Sequence, residues 1–332
     1  VKSGPARVLE ALRRAGGETC SGAALSERQG VSRAQVWKHV ESLRALGYKI
    51  EATPGDGYRL VECPDRLYPE EILAGLDTRW LAREIRYVES TDSTNRVAQE
   101  LARAGAAHGT TVVAEVQTAG RGRLGRSFFS PPHLNLYTSI VLRPELTTAE
   151  APTWILASAL AVAEAVEETV QDPDAIEIKW PNDVLLGGLK TSGILMELGA
   201  EATRVAYLVL GIGVNLNVDR DDFPPEFRHL ATSLSSHTGR RIDRVAFTRR
   251  LYAGLERSLD RCASDGFESL RPAFDARFRM AGRRLRVRDL TGEEIAGVAL
   301  GIDANGALRV RRDDGAEIRV IAGDVTIVKE GA

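Results

Sequence analysis

The run GRGRLGRSFFSP, residues 120–131, decides how this chain is read. Three glycines let backbone N–H groups approach a ligand closely and adopt positive φ. Arg121, Arg123 and Arg126 add forked donors that match phosphate or carboxylate oxygens. Taken alone, the segment is either an anion-gripping loop or a flexible basic surface loop. Its company favours the first reading. STN stands upstream at Ser93, Thr94 and Asn95, and downstream follow KWPND (179–183), LKTSGILMEL (189–198) and GIGVNLN (211–217), in that order. Apolar patterning suggests strands at 84–88, 111–116, 134–142, 175–179, 192–198 and 205–212, with helices after Ser93 and Pro152. This is an α+β body whose motifs fall at strand ends and in adjoining loops, where a sheet leaves polar groups available to a ligand.

Composition bounds the rest. At 332 residues with 43% hydrophobic and 27% charged content, the chain has room for two or three domains and is neither disordered nor fibrous. The net charge of −2 conceals an asymmetry: residues 1–61 carry ten Lys/Arg against six Asp/Glu, so the remainder is acidic. A basic amino-terminal module on an acidic enzyme body is the footprint of modest DNA affinity, or a chance fluctuation. Cys20, Cys63 and Cys262 are odd in number and widely spaced, as unpaired thiols of a cytoplasmic protein are. The five histidines form no ligand spacing. No apolar run of about 18 residues suggests a membrane span, and residues 154–166, interrupted by Ser158 and Glu164, read as a core helix.

The first sixty residues have their own pattern. Val8, Leu9 and Leu12 sit at helical spacing until Gly16 and Gly17; Ser21 caps a short second helix; Gly30 turns the chain. Ser32 caps a third helix whose apolar positions Val36, Val40, Leu43 and Leu46 recur until Gly47. With Val36 and Val40 turned inward, Arg33, Gln35, Lys38 and Ser42 face outward, and Ser32, Arg33, Gln35 and Lys38 are the expected DNA-contacting residues. Trp37 is expected to be a packing residue rather than a base stacker. Residues 48–53 and 58–61 flank the turn Pro54-Gly55-Asp56-Gly57 and complete a winged helix-turn-helix, which serves either DNA or protein contacts. The linker 62–69, with two prolines, marks a boundary. Beyond residue 283, LRVRDL, IAGVALGI and ALRVRR alternate between turns at Gly292, Asn305-Gly306 and Asp314-Gly315, which suggests a small β-barrel.

The ordered set STN, GRGR-x-GR, KWPND, Lys three residues before Gly-Ile-Leu, and GIGVNLN resembles the biotin protein ligases, and the resemblance spans nearly the whole chain. It departs at Phe128, where the family usually has Trp, and at Leu124, where it often has Arg; Phe128 keeps an aromatic face but no indole donor. The resemblance implies three parts: 1–63, a winged helix-turn-helix DNA-binding domain; 64–282, a catalytic domain with a mixed sheet like that of class II synthetases; 283–332, an SH3-like β-barrel. The amino-terminal extension is similar to that of the bifunctional members, which also repress biotin synthesis.

Such a ligase makes biotinyl-5′-adenylate from biotin and ATP, then passes biotin to a lysine of the biotin carboxyl-carrier protein of acetyl-CoA carboxylase. The resemblance implies a biotin site of Ser93, Thr94, Asn95, Gln117, Gly120, Arg121, Gly122, Arg123, Lys190, Gly193, Gly211 and Gly213. Ser93 reads equally as a helix N-cap, and Gly211 and Gly213 as a bulge or turn. Arg121, Arg123, Arg126, Phe128, Lys179, Asn182 and Asn215 are the expected nucleotide-binding residues, and Lys190, Asp183 and Arg123 the catalytic ones. Asp183 binds Mg²⁺, holds a lysine, or takes the proton of the attacking amine; as a bare residue it is also an ordinary turn aspartate. Adenylate-dependent homodimerisation, bringing two winged helices onto the operator DNA of biotin-synthesis genes, and no membrane association complete the expectation. A lipoate-protein ligase and a non-catalytic biotin-sensing regulator are the competing readings.

Overall fold

In a computed structural model, residues 3–201, 204–289 and 292–328 are described. Leu290, which ends the expected strand LRVRDL, and residues 1–2 and 329–332 of the two outer domains lie outside them. The chain divides into two compact units between Arg66 and Leu67.

The first unit contains α1 (Gly4–Arg14), α2 (Gly22–Gln29), α3 (Arg33–Ala45), β1 (Lys49–Thr53) and β2 (Gly57–Glu62). Each helix begins at a serine: the hydroxyls of Ser3, Ser21 and Ser32 accept the N–H of Ala6, Ala24 and Gln35, satisfying otherwise orphaned donors. Gly30 closes α2 in the left-handed region at φ 63°. Val8, Leu9, Leu12, Leu25, Val36, Val40 and Leu43 form the interior, and β1 and β2 pair antiparallel around the expected turn. One expectation fails. Trp37 is 53% exposed, because α3 turns Val36 and Val40 inward and carries its neighbour out.

The second unit starts with α4 (Pro69–Leu73), β3 (Ile85–Thr91), α5 (Thr94–Arg103), β4 (Thr111–Gln117), β5 (Leu136–Leu142) and α6 (Ala151–Val170). Next come β6 (Ile176–Lys179), β7 (Asp183–Leu186), β8 (Leu189–Glu201), β9 (Arg204–Val214), α7 (Leu234–Thr238), α8 (Arg244–Asp265) and α9 (Arg271–Asp275). Seven strands form one sheet in the order β3-β4-β5-β9-β8-β7-β6, with β3 and β4 parallel and the other pairs antiparallel, so the expected mixed sheet is present.

Strand alternation sends Leu208, Leu210, Ile212 and Val214 of β9 into the main core with α6 and α8, while Val209 packs on the opposite face with Ala98 and Ala102 of α5. Gly211 and Gly213 share that second face. The 22-residue α8 was not singled out above, although Phe247, Leu251, Leu255 and Leu259 recur along it every four residues. Its first residue, Arg244, is fully buried and donates to the equally buried Glu115 at 2.9 Å; Glu115 also accepts the N–H of Leu67.

The remaining strands, β10 (Arg284–Asp289), β11 (Glu294–Ile302), β12 (Leu308–Arg311), β13 (Glu317–Val320) and β14 (Gly323–Ile327), form an antiparallel sheet ordered β13-β12-β11-β10-β14. The sheet is open: β13 and β14 stand at opposite ends and do not pair. It is nonetheless curled. Val320 and Gly323 are joined by two residues, a span of at most about 11 Å, whereas a flat five-stranded sheet separates its edges by about 19 Å.

Candidate functional site

The site lies on the face of the large sheet opposite α6 and α8. Gly211 and Gly213 stand in regular register, facing Ser139 and Tyr137 of β5 and Leu195 and Gly193 of β8, so neither marks a bulge. Their lack of a side chain has a different reason. A Cβ at Gly211 would lie 2.1 Å from Asn95 Oδ1, and one at Gly213 would lie 2.6 Å from the Phe128 ring. The two glycines make the floor on which the amide and the aromatic ring lie.

Ser93 occupies the N-cap position of α5 but makes no capping hydrogen bond with its side chain. Thr94 donates through both N–H and Oγ1 to Gln117 Oε1, at 2.9 and 3.1 Å, and Gln117 Nε2 donates to Ser130 Oγ. Asn95 Nδ2 donates to Glu197 Oε2 at 2.8 Å, while its Oδ1 accepts from Ser139 Oγ at 2.6 Å. These amides are held at both ends, which fixes their orientation and limits how many bonds they have left for a ligand.

The glycine–arginine loop arches over this floor. Gly122 N–H donates to Arg126 carbonyl and Phe128 N–H to Gly120 carbonyl, with Leu124 at the tip in a left-handed conformation. Its arginines have different surroundings. Arg126 is paired with Asp324 of β14, which holds its pKa above the ordinary value. Arg123 is half-buried and donates to neutral acceptors, Asn182 Oδ1 at 3.3 Å and the Gly323 carbonyl at 3.1 Å. Burial pushes its pKa down, opposed by the nearby carboxylates of Asp183 and Asp324.

KWPND is the turn between β6 and β7, with Lys179 opposite Asp183 and a cis Trp180–Pro181 bond. Trp180 is buried and donates from Nε1 to the Gly306 carbonyl, anchoring the turn against the carboxy-terminal sheet. Asn182 Nδ2 holds the Ile194 carbonyl at 2.7 Å. Asp183 therefore begins a strand, and its Oδ1 lies 2.7 Å from Lys190 Nζ. The contact is a charge-assisted ion pair on a carboxylate largely shielded from solvent, so Asp183 holds the Lys190 ammonium in place.

One cleft is lined by Ser93, Thr94, Asn95, Gln117, Arg121, Gly122, Arg123, Phe128, Asn182, Lys190, Gly193, Gly211 and Gly213. Ile194, Leu195 and Ile212, which were not anticipated, complete its wall. Gly120, Arg126, Lys179, Asp183 and Asn215 do not line it; Asp183 reaches it only through Lys190, and Asn215 is buried, with its amide bonded to the Thr232 carbonyl and to Asn135. Leu195 and Glu197 share the strand parity of Gly193 and were open to prediction from it. Ser130, Ser139 and Asp324 carry no local signal. Among the described residues there is no group of three or more His, Cys, Asp or Glu arranged to hold a metal, and no helix long and apolar enough to cross a membrane.

In the first unit the four expected DNA-contacting residues separate. Ser32 is occupied as a cap and Gln35 Nε2 lies 3.4 Å from the His39 ring, whereas Arg33 and Lys38 are exposed.

Three segments match family models: residues 6–59 an HTH domain, 87–215 the biotin/lipoate A/B protein ligase family, and 281–328 a biotin protein ligase C-terminal domain. The bifunctional ligase/repressor BirA of Bacillus subtilis (strain 168) is 37% identical over 320 residues, covering 96% of this chain and 97% of that protein. Its namesake from Escherichia coli (strain K12) is 32% identical over 300 residues, 90% of each chain. Among solved structures, a biotin protein ligase from Aquifex aeolicus in complex with biotin and ATP matches with a TM-score of 0.64 at 27% identity, covering 75% of this chain and 100% of that one.

Proposed function

The chain belongs to the biotin protein ligases that carry an amino-terminal helix-turn-helix, and on that premise we propose how its own residues perform the reaction. The activity is ATP-dependent attachment of biotin to a lysine of a carboxyl-carrier protein, joined to a repressor module. The relatives named as ligase/repressors favour this over the lipoate ligase and the non-catalytic sensor.

The carrying observation is that Arg121, Arg123 and Lys190 line one cleft that no carboxylate lines, Lys190 alone of the three being ion-paired among the described residues, to Asp183 behind the wall. This positive surplus suits a carboxylate meeting a triphosphate. Biotin's carboxylate oxygen attacks the α-phosphorus, an O–P bond forms, the bond to the β-phosphate oxygen breaks, and pyrophosphate leaves. Lys190 and Arg123 offset the charge gathered between the two anions, and Asp183 aims Lys190. Thr94, Asn95 and Gln117, braced by Ser139, Glu197 and Ser130, orient the ureido end together with Ser93, while Gly193, Gly211 and Gly213 leave space for the bicycle. Phe128 closes over it. Gly120 and Gly122 shape the loop, and Arg126, Lys179 and Asn215 belong to the nucleotide side at the margin of the cleft.

In the second step the acceptor lysine attacks the acyl carbon, the C–O bond to the phosphate breaks and AMP leaves. Asp183, the carboxylate nearest the cleft through Lys190, takes the amine proton. Mg²⁺, commonly held by one or two carboxylates and substrate phosphates, would have Asp183 as the carboxylate at hand and would neutralise phosphate charge. The division into 1–63, 64–282 and 283–332, an SH3-like character for the curled carboxy-terminal sheet, and adenylate-dependent dimerisation on operator half-sites complete the proposal.

Incubation with biotin, ATP, Mg²⁺ and a carboxyl-carrier domain tests it. Biotin on one acceptor lysine with matching pyrophosphate is expected. Lipoate attachment instead, or no adenylate at all, defeats the reading.

A further inference from the structure

The outer face of α3 is unusual for a helix on a small domain. At 3.6 residues per turn, Arg33 lies one turn from Trp37 on the same face and Lys38 follows about 100° further round, so the outward face carries the indole with a cation toward either side. Trp37 is the only aromatic among the strongly exposed apolar side chains of the described residues. The other polar groups of the helix are engaged: Ser32 caps it, Gln35 contacts His39, and Arg44 bonds Glu41 and the Ile50 carbonyl. Arg33 and Lys38 have no ion-pair partner among the described residues. An apolar plate flanked by two unpaired cations, on a segment with ten Lys/Arg against six Asp/Glu, matches a polyanion with apolar groups between its charges.

We propose that Trp37 is a base-reading residue: α3 enters the major groove with Arg33 and Lys38 on phosphates and the Trp37 indole against thymine 5-methyl groups. A major groove offers that methyl as its apolar feature, and the bulk of an indole reaches it without a hydrogen bond. The inference rests on the operator-binding reading of the amino-terminal unit, and its test separates the two.

The full chain, with biotin, ATP and Mg²⁺, is used to select a duplex from a random library. Affinity for that duplex and for a scrambled one is then measured across a salt series for wild type, Trp37→Ala, Trp37→Phe, Arg33→Ala and Lys38→Ala. Trp37→Ala should lose roughly tenfold or more in specific affinity while keeping its scrambled-duplex affinity and its salt slope, because the indole carries no charge. That retained binding also shows that the variant is folded. Trp37→Phe should fall between. Arg33→Ala and Lys38→Ala should weaken both duplexes and lower the slope by about one each. Replacing the contacted thymines by deoxyuridine should weaken wild type several-fold and leave Trp37→Ala unchanged. Equal loss on both duplexes, or equal sensitivity of wild type and Trp37→Ala to methyl removal, overturns the assignment of Trp37. A wild-type protein that selects no sequence overturns the operator-binding reading with it.

Discussion

The outer face of α3 and the cleft beneath the glycine–arginine loop are both positive, yet they are built in opposite ways. On the α3 face Arg33 and Lys38 have no ion-pair partner among the described residues, and their placement follows from local helical periodicity. In and around the cleft three cations are steadied by fixed partners: Arg126 by Asp324 and Arg123 by Asn182 and the Gly323 carbonyl, from distant parts of the chain, and Lys190 by Asp183 across neighbouring strands. A repeating polyanion can be met by flexible, solvated charges. Activation of one carboxylate requires charges already in position, because the gain lies in avoiding reorganisation at the moment of reaction.

The same contrast holds for stability. The ion pairs of the first unit, Arg14–Glu10, Arg44–Glu41, Lys49–Glu62 and Arg59–Glu51, are all substantially exposed, whereas Glu115–Arg244 in the second is wholly buried. Glu115→Ala should therefore have the largest effect, a loss of about 3–5 kcal/mol, since the buried Arg244 charge would lose its carboxylate. Urea unfolding followed by tryptophan fluorescence measures it, and a loss below about 1 kcal/mol would erase the contrast.

Lys190→Ala comes next. Biotin-dependent pyrophosphate release should fall about 10²–10³-fold, and near wild-type release would show that the cleft cations are no more specialised than those on α3. Arg123→Gly should act more mildly, shortening the lifetime of bound adenylate about tenfold more than it slows its formation. Rapid filtration reads the lifetime, and label scattered over acceptor lysines would accompany the escape. Smallest of all, Glu51→Ala should leave the thermal midpoint unresolved from wild type, because the Arg59–Glu51 pair is screened by water and salt. A clear drop there would mean that surface pairing supports the hairpin after all.

Legibility in the sequence followed the range of the interactions. Ser21 and Ser32 as caps, Gly30 as a stop and Val36 and Val40 as an inward face depend on neighbours three or four residues away, and they were readable. Trp37 was misjudged because aromatic residues usually pack, and only the rotation of α3 against its partners settles which side faces out. Gly211 and Gly213 were recognised as candidates, but bulge and ligand floor differ only in what approaches them, here Asn95 and Phe128 from more than eighty residues away. Asp324 had no signal at all, being one aspartate in a short strand 198 residues from the arginine it holds.

Residue types, their order and their local periodicity thus determined the chemistry available to this protein: an anion-binding loop, paired lysines and carboxylate, and a helix with a basic outer face. Tertiary structure alone decided which of these groups are free to act. Whether an arginine meets a ligand or an internal aspartate, and how an amide is braced by Glu197 and Ser139, is set by strands brought together across the sheet. The reason is geometric: hydrogen bonds and ion pairs act over about 3 Å, and sequence spacing places residues at that range only within a helical turn or a tight hairpin.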